Sequence, residues 1–302
     1  MNQKTKTWFS AARLRTLPLS VSGILVGSAL AQQAGFFDRK VFALAMLTTI
    51  SFQVLSNFAN DYGDGMKGTD NDRRIGPARA LQSGLLTAKE LKNGILAMVV
   101  LSLVLAIGVV VEAFGMKYWV YSLLFFALGI ASVVAAIKYT VGDRAYGYQG
   151  LGDVFVFLFF GLLAVVGSYF LFTKTIDAWV LLPATAVGLL SAGVLHLNNM
   201  RDRVSDAEAG KNTLAVKLGA QKAKYHHAFL IFGSMIVLLI FAFVRFESSL
   251  NWLFLIAFVP LGIHLKRTLQ NQNPKDLDPE LKKLALSTFL LALLFAAGLV
   301  WG

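Results

Sequence analysis

A chain of 302 residues that is 56 % hydrophobic and only 15 % charged carries too much apolar surface for a soluble globule, whose charged fraction runs near ~25 %. A net charge of +11 would point a soluble protein towards nucleic acid, but here the charges sit between long apolar runs, which assigns them to a membrane surface and excludes nucleic acid as the partner. Cysteine is absent, so disulfides and thiolate metal sites are excluded as well.

Taken in order, Lys4, Lys6, Arg13 and Arg15 precede an apolar run over 16–34. That run reaches membrane-spanning length and offers no compelling small-residue cleavage site, which predicts a retained first helix rather than a signal peptide. Further uncharged runs follow at 41–60, 94–111, 118–137, 154–173, 178–200, 226–244, 248–264 and 284–302, with Arg245 and Glu247 dividing the seventh span from the eighth. Each is close to the ~20 residues that cross a ~30 Å hydrocarbon core as a helix. The pattern predicts an all-α polytopic membrane protein of about nine transmembrane helices, formed as one domain over 1–302. A β-barrel would need ~10-residue alternating segments instead.

Charge sets the expected orientation. With a cytoplasmic N-terminus, 23 of the 28 Lys and Arg residues fall in cytoplasmic segments, and five (Arg39, Lys40, Lys117, Lys174 and Arg245) fall on the other side. This positive-inside bias predicts an external C-terminus and a multi-pass protein of the inner (plasma) membrane, its basic segments facing anionic lipid of the bilayer. The cytoplasmic connections 61–93, 138–150 and 201–225 hold most of the polar residues and are the expected active-site loops.

Two of these connections open on matching motifs. The second span ends in SNFANDYGDGMKGTDND (56–72) and the sixth in HLNNMRDRVSDAEAGKN (196–212), each with Asn-x3-Asp: Asn60 with Asp64, and Asn198 with Asp202. Asp206 extends the second series to i, i+4 and i+8, one face of a continuous helix. Carboxylates crowded at the end of an apolar helix need neutralising, and Mg2+ is suited, since it binds a few carboxylates together with substrate phosphates. Two facing clusters would hold a diphosphate through bridging ions, with Lys67, Arg73, Arg74, Arg79, Arg201, Arg203 and Lys211 nearby as cations. A single motif of this kind also arises where a helix merely leaves the membrane; the duplication is what argues for a site.

These motifs resemble the UbiA superfamily of intramembrane prenyltransferases, from Arg13–Pro18 to about Gly219. The family's first motif, NDxxDxxxD, is matched by Asn60, Asp61 and Asp64, with Gly68 at the last place, so that Asp70 or Asp72 would have to supply the missing carboxylate. The second is matched by Asn198, Asp202 and Asp206, with Asn199 in place of an acid. The loop after the fourth helix is matched by Tyr139, Arg144 and Gln149, with Asp143 where a Lys is usual. RLRTLPLS (13–20), RRIGPARA (73–80) and YTVGDRAYGYQGLGD (139–153) are similar to the branch that prenylates 1,4-dihydroxy-2-naphthoate in menaquinone synthesis.

The resemblance implies a Mg2+-dependent transfer of a polyprenyl group from polyprenyl diphosphate to 1,4-dihydroxy-2-naphthoate, with loss of diphosphate and CO2. It implies metal ligation by Asp61, Asp64, Asp202 and Asp206 with Asn60 and Asn198 as neutral oxygen ligands, diphosphate binding by Lys67, Arg79 and Arg201, and a cation-stabilising face at Tyr139. Arg144 is assigned either to the acceptor carboxylate or to the diphosphate. His196 reads as a proton relay or as a hydrogen-bonded helix residue, and Asp153 as a carboxylate at a helix N-terminus. The phenylalanines Phe155, Phe157, Phe159 and Phe160 read as packing groups, some of them lining a tunnel for the prenyl chain. Two other readings stay open: a transporter binding its coupling ion near the midplane, and the same fold acting on 4-hydroxybenzoate, homogentisate or a porphyrin ring.

Overall fold

The computed structural model describes residues 2–70, 75–77 and 79–302, and among these every regular element is a helix. The spans are α2 (Leu17–Gln33), α3 (Arg39–Met66), α4 (Ala88–Phe114), α5 (Trp119–Lys138), α6 (Gly152–Thr173) and α7 (Ala178–Arg201). A short α8 (Arg203–Glu208) is followed by the spans α9 (Leu214–Arg245), α10 (Ser249–Gln270) and α11 (Pro274–Trp301). Ahead of them, α1 (Gln3–Ala12) meets α2 at a bend of 44°. Eight of the described helices are long and apolar enough to cross a membrane, and the bent α1–α2 pair makes a ninth when counted as one. The protein is therefore a polytopic, all-helical membrane protein, as hydropathy predicts.

Local chemistry fixes where these helices begin. Asp38 accepts from the backbone N–H groups of Lys40 and Val41 at the start of α3, and Thr87 with Glu90 closes a capping box on α4. Thr213 caps α9 through the N–H of Val216, and Gly219 then breaks that helix at φ 74°. Three spans run well beyond the apolar runs that announced them: α3 continues to Met66, α9 starts at Leu214 and α11 at Pro274. Most of the expected loop 201–225, and the two ends of 61–93, are thus helical, because the polar residues there keep pairing along the helix faces after the hydrocarbon-like run has ended.

Packing brings the motif-bearing helices together. α7 lies against α6, α9 and α11, while α2 lies against α3, α6 and α11. Small residues permit the closest approaches: a Cβ on Gly23 of α2 would lie 2.6 Å from Ala164 of α6, and one on Gly161 of α6 would lie 2.5 Å from the Cα of Gly188 of α7. Contacts of this type are the main glue between helices in lipid, where no hydrophobic drive operates. Outward, α4, α5 and α9 expose Val104, Leu123, Phe229, Phe232 and Phe243, an apolar belt with no soluble counterpart. Residues Phe157–Val166 of α6 are wound as a π-helix, a rare geometry that concentrates at functional sites.

Candidate active site

The bundle encloses a cavity of about 430 Å³ with two unlike ends. One end is lined by Asn60, Asp64, Asp70, Arg79, Asn198, Arg201, Asp202, Asp206 and Lys211; the remainder is mainly apolar, with Leu19, Phe52, Phe125, Phe155, Phe159, Phe160 and Leu163. The polar end lies where α3 and α7 finish. Polar groups at a helix end, opening into a long apolar chamber, suit an amphiphile better than an ion crossing at the midplane.

The first carboxylate group is built on the last turns of α3. Asp64 Oδ1 accepts from the Tyr148 hydroxyl at 2.7 Å, and Lys211 Nζ lies 3.3 Å from Oδ2. Burial pushes the Lys211 ammonium down, but the carboxylates of Asp64 and Asp206 outweigh it and hold its pKa above the ordinary lysine range. Lys211 therefore remains a cation between the two motifs. Asn60 is held through Thr140, whose hydroxyl lies 3.4 Å from Asn60 Oδ1 and donates to the Ala59 carbonyl at 3.0 Å. Asp70 lines the cavity, while Asp72, like Arg73 and Arg74, lies outside the described residues.

The second group sits at the end of α7. The helix stops at Arg201, yet the N–H of Asp202 still reaches the Asn198 carbonyl at 3.0 Å and that of Asp206 reaches the Asp202 carbonyl at 2.8 Å. The i, i+4, i+8 face expected from spacing thus survives the break into α8. Arg201 grips Asp202 in a fork, Nε to Oδ1 at 2.8 Å and Nη2 to Oδ2 at 2.6 Å, while Nη2 also reaches Asn198 Oδ1 at 3.0 Å. Its Nη1 donates to Asp278 of α11 at 2.5 Å. Oxygen donors from Asn60, Asp64, Asp70, Asn198, Asp202 and Asp206 form a hard-ligand set of the kind Mg2+ takes, so the residues present fit that ion.

Several expected site residues are placed differently. Asp61 is 1 % exposed and does not itself line the cavity, since one residue on from Asn60 a helix has turned ~100°. It pairs instead with Arg13 Nη2 and, at 3.6 Å, with Arg79 Nε, and both arginines line the cavity. Lys67 is exposed, its Nζ 3.9 Å from the centre of the Tyr148 ring, and Arg144 is exposed in the loop after α5; neither lines the cavity. Phe157 packs on Gly188, whereas Phe155, Phe159 and Phe160 line the chamber. Tyr139 does line it, and burial followed by the Asp64 carboxylate raises its phenol and that of Tyr148 above the ordinary range, so both stay neutral. His196 lies outside the cavity lining, bonded to Asp153.

Three residues escaped sequence reasoning. Tyr148 stands inside the quoted loop yet passed unremarked, Asp278 belongs to a helix with no motif, and Arg13 opens a quoted segment but carried no role; the Tyr148 ring in a polar loop and the RLRTLPLS segment offered the signal.

The sequence pattern of the UbiA prenyltransferase family matches residues 20–294. The chain belongs to that family. It is 45 % identical over 307 residues to the 1,4-dihydroxy-2-naphthoate octaprenyltransferase of Haemophilus influenzae, covering 100 % of this chain and 98 % of the relative. It is 42 % identical over 296 residues to the enzyme of the same name from Escherichia coli, covering 98 % of this chain and 96 % of the relative. Among solved structures, a UbiA homolog from Archaeoglobus fulgidus bound to GPP and Mg2+ superposes with a TM-score of 0.62 at 17 % identity, over 94 % of this chain and 99 % of that one. Digeranylgeranylglyceryl phosphate synthase superposes with a TM-score of 0.61 at 19 % identity, over 99 % of both. The UbiA fold accounts for the packing of the spans about the cavity.

Proposed function

We propose that this UbiA-family protein transfers a polyprenyl group from a polyprenyl diphosphate to 1,4-dihydroxy-2-naphthoate, releasing diphosphate and CO2. The observation that carries the reading is the cavity itself, with two facing carboxylate groups at one end and an apolar chamber behind them. The full-length identity to 1,4-dihydroxy-2-naphthoate octaprenyltransferases supports the choice of acceptor. In the reaction the allylic C–O bond breaks, diphosphate leaves with the electron pair, and the ring carbon bearing the carboxylate captures the cation; loss of CO2 restores aromaticity.

Asp64, Asp202 and Asp206, with Asn60, Asn198 and Asp70, would hold Mg2+, which supplies Lewis-acid stabilisation of the departing diphosphate. Lys211 and Arg201, which neutralise those carboxylates in the structure, remain within the site to meet the diphosphate charge. Arg79 and Arg13 are aimed there by Asp61. The neutral Tyr139 ring offers its π face to the allylic cation, and Phe155, Phe159 and Phe160 exclude water from the prenyl chain. The N-terminus and the polar end face the cytoplasm in this reading, and the membrane is the inner one.

Purified protein given octaprenyl diphosphate, Mg2+ and a choice of acceptors is expected to prenylate 1,4-dihydroxy-2-naphthoate fastest, as read by mass spectrometry, and to stop in EDTA. Faster turnover of 4-hydroxybenzoate would overturn the acceptor, and full turnover in chelator would overturn the metal.

A further inference from the structure

Behind the chamber wall lies a second constellation that the transfer reaction does not use. Asp153 in the first turn of α6, His196 on α7 and His226 on α9 bring one ligand atom each to within 4.8 Å of one another. His196 is fully buried, and Asp153 is 6 % exposed. The histidine's Nε2 stands 3.1 Å from the Ala223 carbonyl oxygen, which can only accept, so Nε2 carries a proton and donates it. In the neutral ring Nδ1 is then a bare lone pair, and it lies 2.8 Å from Asp153 Oδ2. Two acceptors in contact need a cation between them, either a proton or a metal ion.

His226 adds to that demand, its Nε2 being 3.4 Å from the same Asp153 oxygen. The other carboxylate oxygen, Oδ1, is buried without a hydrogen-bond partner among the described residues. The remaining two histidines are engaged elsewhere: His227 Nε2 meets His264 Nε2 at 2.9 Å, and His264 Nδ1 meets Glu280 at 3.0 Å.

We propose that Asp153, His196 and His226 form a site for a divalent transition-metal ion of the Zn2+ type, separate from the carboxylate groups in the cavity. Imidazole nitrogen favours such ions, whereas Mg2+ takes oxygen. Donation of the far ring nitrogen of His196 to a backbone carbonyl is the contact that fixes the tautomer of a metal-bound histidine. The side chain of His226 is 27 % exposed, which gives the ion a way in. Gly152 and Leu195, the neighbours in sequence of Asp153 and His196, line the chamber, so the ion would tie α6, α7 and α9 together directly behind its wall.

The test uses purified full-length protein, stripped with EDTA and freed of chelator, then offered Zn2+ alone. After desalting, one zinc per chain is expected by mass spectrometry, with a rise in Tm of several degrees and imidazole nitrogens at about 2.0–2.1 Å by X-ray absorption. His226→Gln, at the most accessible ligand, is expected to weaken retention at least tenfold, and an Asp64→Asn/Asp202→Asn variant to retain zinc as the unmodified protein does. Absence of retained zinc would mean that protons alone satisfy the cluster and would overturn the proposal. Equal retention by His226→Gln, or loss in the Asp64→Asn/Asp202→Asn variant instead, would overturn it by placing the ion elsewhere.

Discussion

Asp64 and Asp202 occupy matching places in the two motifs but are held by different partners. Asp64 is steadied by a neutral phenol and an ammonium, and Asp202 by a guanidinium fork. Replacing either by Ala removes an oxygen donor from the polar end and one of the carboxylates that balance Lys211 or Arg201. For each, kcat is expected to fall at least ~100-fold, on the order of 3 kcal/mol of transition-state stabilisation. A folded variant turning over at a normal rate would show that these residues only end helices. Tyr148→Phe removes the hydroxyl that sequence reasoning passed over, which meets both Asp64 and Thr69: a hydrogen bond to a charged group contributes about 1.5–3 kcal/mol, so kcat is expected to drop on the order of ten- to a hundredfold. Titrating Mg2+ against the rate checks this, because a loosened Asp64 raises the metal concentration needed for half-activity.

Helices α6 and α7 meet through Gly161 and Gly188, and the contact leaves no space for a Cβ. Gly161→Val forces the two spans apart at the π-wound stretch that lines the chamber. Overpacking of this kind costs about 1–3 kcal/mol, and the expected result is a lower Tm in detergent together with a raised KM for the prenyl diphosphate. An unchanged Tm would mean that the spans yield more easily than their fit implies. The apolar centre of each span was legible from hydropathy, whereas the polar ends of α3, α9 and α11 were not. Lipid thickness governs the centre, but each end is set by capping and by contacts with other helices, as where Lys211, which precedes α9, reaches Asp64 on α3.

Across the whole molecule, eight helices are long and apolar enough to cross, and the bent α1–α2 pair makes nine; nine crossings would place the two termini on opposite sides of the membrane. A reporter fused after Gly302 is expected to act only outside the cytoplasm, and one before Asn2 only within it; activity of both on one side would require an even count. This outcome is tied to the site, because the polar end of the cavity lies at the end of α7 and the start of α11, the side that carries most of the Lys and Arg residues. Reversed topology would put the carboxylate groups on the external face.

The sequence by itself determined that the chain crosses the membrane as helices, and it located both carboxylate motifs, because hydropathy and i, i+4 spacing are local properties of consecutive residues. Asn60, Asp64, Asn198, Asp202 and Asp206 were legible for that reason. Only the tertiary structure decided that Asp61 pairs with Arg13 and Arg79, that Lys211 lies between the motifs, and that Asp278 of α11 meets Arg201 of α7. Those pairings join residues tens to more than a hundred positions apart. Which buried charge finds which partner depends on how the helices pack, and no spacing along the chain records it.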